Sequence, residues 1–229
     1  MHILDGFLDD SVAVAAAVPA IAAVGYGVHR AGRALDDRGV ALVGVTGAFV
    51  FAAQMLNFPV AGGTSGHLLG GALAAVLVGP WLACLVMAVV ISGQALAFAD
   101  GGVAAIGANV LNMGVVGALA TGALMLAARR VLPRTRATVL AVAGAGAWLS
   151  VMGGAALAAA ELGVSGTVPF TTALPAMLGV HALIGVGEAA ITVAAVAAVL
   201  ATRPDLVGGA GSGAPVAAAR GVPATEPAS

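Results

Sequence analysis

The chain contains no lysine at all, a single cysteine, and only 8% charged residues among its 229. The missing lysine rules out a Gly-x-x-x-x-Gly-Lys-Ser/Thr phosphate loop, so this chain hydrolyses no nucleotide by that route. The lone Cys84 rules out an internal disulfide, and its place in an apolar run reads as small-residue packing. A soluble domain carries about 25% charged residues. With 61% hydrophobic residues and a mean hydropathy of +1.08, this chain cannot shield its apolar surface from water and is an integral membrane protein. A formal net charge of −1 offers nothing to a nucleic acid. There is no serine–histidine–acid arrangement, and no enzymatic activity is expected.

What the chain does have is long, unbroken apolar runs. Barrel strands alternate polar with apolar residues, so continuous runs indicate helices. A span needs about 20 apolar residues. Such segments fall at roughly 11–29, 40–56, 67–79, 81–98, 103–128, 137–160 and 174–201. Gly79-Pro80 divides the short third segment from the fourth, because proline removes a helix donor and clashes with the preceding turn. One kinked helix is the alternative there, and the arginines decide. Arg30, Arg33 and Arg38 follow the first segment, Arg129, Arg130, Arg134 and Arg136 the fifth, and Arg203 and Arg220 the last. Seven crossings with the N-terminus outside put all of them on the cytoplasmic side, where arginine concentrates. The expected architecture is therefore an all-α polytopic protein of about seven transmembrane helices in the plasma membrane, with a transmembrane domain over 1–203. Residues 204–229, rich in Gly, Ala and Pro, read as a disordered cytoplasmic tail. The row Gly44, Ala48 and Ala52 lets helices approach closely, and packing within the chain is favoured over a partner face.

The same topology places Met1, the 57–67 loop, Asp100 and Glu161 outside. The N-terminus lacks the basic region of a signal peptide, its first charges being Asp5, Asp9 and Asp10. Initiator methionine normally stays in front of a residue as large as His2, which leaves a free amine on Met1. A terminal Met-His can chelate a metal through that amine, the deprotonated amide nitrogen of residue 2 and the His2 imidazole. His67 would supply a fourth nitrogen, and a planar four-nitrogen set suits Ni(II) or Cu(II), while imidazole also accepts cobalt.

His67 ends a glycine-rich loop containing Gly62, Gly63 and Gly66, and is expected to open a helix capped by Thr64 or Ser65. The residues alone fit two readings, a metal ligand or an interfacial histidine at a cap. His181 and Glu188, seven apart in the last segment, share a helix face. They could pair with each other or with Asn109 and Asn112, either as a structural network or in support of a metal site. His29, beside Arg30, reads as an interfacial residue.

These motifs together resemble the CbiM/NikM family. Met1-His2-Ile3-Leu4-Asp5-Gly6-Phe7-Leu8 is similar to the family's start, Leu4 standing where proline or methionine is usual. Gly62 through Trp81 matches its most distinctive motif. Gln94-Ala95-Leu96, Asp100-Gly101-Gly102, Gly107 through Met113, His181 through Glu188 and Arg203-Pro204-Asp205-Leu206 extend the resemblance over residues 1 to about 206. It implies the substrate-binding subunit of an energy-coupling factor importer of cobalt or nickel, with Met1, His2 and His67 as ligands. Ser65, Asn109, Asn112, His181 and Glu188 are expected to support them. Ni(II) or Co(II) would be the transported substrate. The implied partners are a membrane coupling protein, a pair of cytoplasmic ATPases and a small two-helix auxiliary subunit. The competing expectation is a self-sufficient ion-coupled transporter with His181 and Glu188 as a relay.

Overall fold

In the computed structural model, which describes residues 1–56, 58–60 and 64–207, the chain forms a bundle of apolar helices. Helix α1 (Asp10–Ala34) is started by Asp9, whose carboxylate accepts from the Ser11 N–H. Helix α2 (Asp37–Gln54) is started in the same way by Asp36, which accepts from the Gly39 N–H. Both caps satisfy N–H groups that a helix terminus leaves without partners. Two three-residue strands follow, β1 (Phe58–Val60) and β2 (Thr64–Gly66), paired antiparallel with Pro59 opposite Ser65.

Helix α3 (Gly71–Val78) is only 8 residues long, about 12 Å at 1.5 Å per residue. That is less than half of a hydrocarbon core of about 30 Å. Every one of its residues is buried, so it is a half-helix enclosed by protein, where short elements are tolerated at membrane depth. The break after it falls where the sequence puts it. Gly79 adopts φ 86°, a conformation that excludes residues with a side chain, and Pro80 begins α4 (Pro80–Phe98). Gly79 lies outside helical geometry, so the run is two helices rather than one kinked helix.

The next helical run spans Ile106–Val131 and contains α5 (Ile106–Asn109), a π-helical stretch (Val110–Val115) and α6 (Val116–Val131). Helix α7 (Arg136–Val164) and helix α8 (Phe170–Thr202) form the most extensive pair. Among the described residues five helical runs are long and apolar enough to cross a membrane: α1, α4, 106–131, α7 and α8. With α2 and α3 the bundle has seven helical runs, in agreement with the all-helical membrane fold expected from the sequence.

Three expectations are corrected. Helix α3 starts at Gly71, not at His67. Its cap is Gly70 at φ 80°, so neither Thr64 nor Ser65 caps it. The reason is steric: a Cβ on Gly70 would lie 2.6 Å from a Val50 methyl, and only glycine turns the chain there. Gly44, Ala48 and Ala52 are exposed on α2 and do not form a packing seam within the chain. The close internal approaches are made elsewhere. Gly71 lies against the carbonyl of Met113, and Gly154 lies against the carbonyl of Asn112. The expected tail falls mostly at 208–229, outside the described residues.

Candidate functional site

The first residues do not trail away from the bundle. They fold back into it and are held by main-chain hydrogen bonds. Asn109 brackets Ile3, accepting from its N–H at 2.8 Å and donating to its carbonyl at 3.0 Å. The same carbonyl accepts from Gly102 N–H at 2.9 Å. Asp5 accepts from Ala104 N–H at 2.8 Å, and the Thr167 hydroxyl donates to the carbonyl of Phe7. Gly101 and Gly102 are needed for this fit. A Cβ on Gly102 would sit 2.4 Å from the backbone nitrogen of Asp5.

The result is that the Met1 amine lies 2.9 Å from Nε2 of His67, across 66 residues of sequence. The His2 and His67 rings stack with centroids 5.0 Å apart and planes 19° from parallel. Nδ1 of His67 lies 2.8 Å from the Leu68 carbonyl. A carbonyl can only accept, so Nδ1 carries the proton and Nε2 presents a lone pair toward the amine. Nδ1 of His2 lies 3.2 Å from an Asp100 carboxylate oxygen, and its Nε2 is buried with no partner among the described residues. The backbone N–H of His2 also takes no hydrogen bond among the described residues. Amine, amide and two imidazoles are thus gathered in one place, and several of them lack a strong competing partner.

Burial sets the protonation of this cluster. It pushes the Met1 amine down from 8.0 to about 6, against the opposing pull of the Asp100 charge. It pushes the His2 imidazole down to about 4, helped by the adjacent amine. Both groups are therefore neutral at pH 7, the form in which nitrogen coordinates a metal. Among the described residues no three His, Cys, Asp or Glu side chains cluster as a metal site.

The segment bearing His67 is held from the opposite side. Glu188 on α8 accepts from Leu69 N–H at 2.6 Å and from Gly70 N–H at 2.8 Å, one bond per carboxylate oxygen. Gln54 on α2 donates to the Leu69 carbonyl. Glu188 and His181 consequently do not pair. His181 Nδ1 bonds instead to the Met177 carbonyl at 2.8 Å, one turn back on its own helix. Asn112 donates to Glu161 at 2.6 Å. Glu161, near the C-terminal end of α7, is buried. Ser65 lies in β2, and its side chain is outside the described residues.

The contacts of Asp100, Gln54 and Asp5 leave no mark in the sequence pattern. One hint was available for Gln54, an amide side chain at the end of an apolar run.

Fold and site together define a helical membrane protein with a nitrogen-lined pocket built around its own first residues. The family model described as the cobalt uptake substrate-specific transmembrane region, CbiM, matches residues 2–206, and the chain belongs to this family. It is 41% identical over 210 residues to a fused nickel transport protein, NikMN, of Archaeoglobus fulgidus. It is 35% identical over 225 residues to a fused nickel transport protein, NikMN, of Rhodobacter capsulatus. Each alignment covers 90% of this chain, but only 68% and 64% of the longer relatives. The crystal structure of a truncated transition metal transporter superposes with a TM-score of 0.79 at 27% identity, covering 88% of this chain and 99% of that one. The family is a component of metal transport and not an enzyme.

Proposed function

We propose that this chain captures Ni(II) or Co(II) as its transported substrate. The ligands are the Met1 amine, the deprotonated His2 amide, the His2 imidazole and Nε2 of His67. The observation that carries this reading is the 2.9 Å approach of the Met1 amine to His67 Nε2, with the His2 ring stacked alongside. A dication would replace that hydrogen bond with two coordinate bonds. Deprotonation of the amide supplies one negative charge, and Asp100 supplies another beside the site.

The reading includes direction and partners. The N-terminus and the site face outward, and the arginine-rich ends of α6 and α7 face the cytoplasm, as the bias of arginine toward cytoplasmic loops requires. Since this chain has no lysine and hence no phosphate loop, energy comes from a separate ATPase pair through a membrane coupling protein, with a small two-helix subunit assisting. The relay alternative has little support, because both Glu188 oxygens are taken by backbone amides and His181 bonds elsewhere.

Substituting His67→Ala should abolish metal binding by the purified protein while leaving its expression and membrane insertion intact. Retention of stoichiometric binding would refute the ligand set.

A further inference from the structure

The arginine-rich end of the bundle carries a second concave site, which the metal reading does not use. A cavity of about 310 Å³ opens between the last turns of α6 and the first turns of α7. That is near the small end of the roughly 300–1,000 Å³ of ligand pockets. Much of its wall is apolar: Val76 of α3, Met125 and Ala128 of α6, and Val139 and Val142 of α7. Val76 is only 1% exposed, so the cavity reaches the buried end of the half-helix. The lining also includes Arg129 and Arg134, and it includes no Asp or Glu. Arg129 is exposed and Arg134 half-buried, so the positive charge lies toward the outer edge.

The position of Arg134 is fixed by its contacts. Its Nη2 donates to the Val207 carbonyl at 3.2 Å. Val207 also lines the cavity, so the guanidinium sits at the wall. That bond takes one of five N–H groups in a planar fork suited to phosphate oxygens. Arg134 makes no ion pair among the described residues. The Asp205 carboxylate, two residues before Val207, is taken by Arg203 at 2.9 and 2.7 Å. Burial, and after it the charge of Arg129, holds Arg134 below the usual arginine value. Two like charges thus lie near each other beside an apolar slot. Arg136 is engaged elsewhere, donating to the Ala197 carbonyl of α8 at 3.4 Å.

We propose that this cavity binds one anionic phospholipid, with its phosphate on Arg129 and Arg134 and the start of an acyl chain between α6 and α7. Three features favour a lipid over a protein segment or a soluble anion. The walls belong to helices long and apolar enough to cross a membrane, so the slot is in reach of the bilayer. Apolar lining beside fixed positive charge matches a molecule with an anionic head on an apolar body. Basic pockets between membrane helices on the cytoplasmic side bind anionic headgroups as a class. Assignment to the cytoplasmic leaflet rests on the orientation proposed above. Binding itself depends neither on that orientation nor on the metal reading. The bound phosphate offsets the repulsion of the arginine pair and ties the ends of α6 and α7 together.

The test uses purified full-length protein in neutral detergent with added phosphatidylglycerol, phosphatidylcholine or inorganic phosphate. Lipid retention is read by native mass spectrometry and stability by thermal unfolding. Phosphatidylglycerol should be retained over phosphatidylcholine by about fivefold per arginine, and it alone should raise the midpoint. The double variant Arg129→Gln/Arg134→Gln should lose the preference, and Arg136→Gln should keep it. Val142→Trp fills the slot and spares the arginines, so it should also lose retention. It decides the matter if the double variant does not fold. Equal loss in Arg136→Gln would overturn the site in favour of diffuse surface charge. Equal retention of the two lipids would overturn it in favour of an apolar crevice. Equal stabilisation by inorganic phosphate would overturn the lipid and leave an anion site. Retention of neither lipid by wild type would overturn the proposal and leave the slot to a protein segment.

Discussion

Two non-helical segments meet at the site, and they are held in different ways. Residues 67–70 are gripped from within the bundle: Glu188 of α8 takes two of their N–H groups, and Gln54 of α2 takes a carbonyl. Residues 1–9 are gripped mostly at the rim, by Asn109, Gly102, Ala104, Ser165 and Thr167. The first segment is a fixed floor whose loss disturbs helix packing. The second is a flap, held largely by single bonds to partly exposed groups. A site split between floor and flap can close over an ion by docking one piece only, and the helices need not move.

Breaking the floor should have the largest effect. In Glu188→Gln one carboxylate oxygen is replaced by a donor group, which leaves a buried backbone N–H without a partner at a cost of about 1–3 kcal/mol. His67, two residues away from Leu69, should lose its alignment. Metal affinity should then fall by about 10- to 100-fold, as for other residues that orient ligands. The thermal midpoint of the detergent-solubilised protein should drop in parallel. If affinity falls with no change in midpoint, the floor is no more built into the bundle than the flap.

Breaking the flap should affect binding more than stability. Asn109→Ala removes both bonds to Ile3, worth about 1 kcal/mol each, and should weaken metal binding by about tenfold. Ile3 packs in a small cluster with Ala16, Ala108 and Ala158, apart from the main core, so the midpoint should fall less than in Glu188→Gln. An equal loss of stability in Asn109→Ala and Glu188→Gln would erase the distinction between the two segments.

The smallest effect is a change of slope with pH. Chelation through the His2 amide displaces one proton at any pH. The buried Met1 amine is neutral above about 6 and protonated below it, where the metal must displace a second proton. A titration of Ni(II) affinity should therefore rise by about one decade per pH unit above 6 and about two below it. A break near 8, the ordinary value for a terminal amine, would mean that the flap is not docked before metal arrives.

The helices were legible in the sequence because apolar runs of span length have few alternatives. The Gly79-Pro80 break was legible because proline and a positive-φ glycine act locally. His2 and His67 stood out by chemical type. The contacts that hold them did not. Glu188 reaches Leu69 across 119 residues, and Asn109 reaches Ile3 across 106. Such pairings follow from tertiary packing and leave no periodic trace. Equal spacing on a helix face made His181 and Glu188 look like partners. Spacing cannot reveal that buried backbone N–H groups just before α3 compete for the carboxylate. The row Gly44, Ala48 and Ala52 shows the same limit, since small residues suit a close approach without saying whether the neighbour lies inside the chain.

The central claim is that the free Met1 amine is itself a metal ligand. The most direct test compares Ni(II) and Co(II) binding by purified protein beginning at Met1 with a form carrying extra residues before Met1. The account predicts that the extension removes stoichiometric binding while the helical fold is retained. Unchanged binding by the extended form would contradict it.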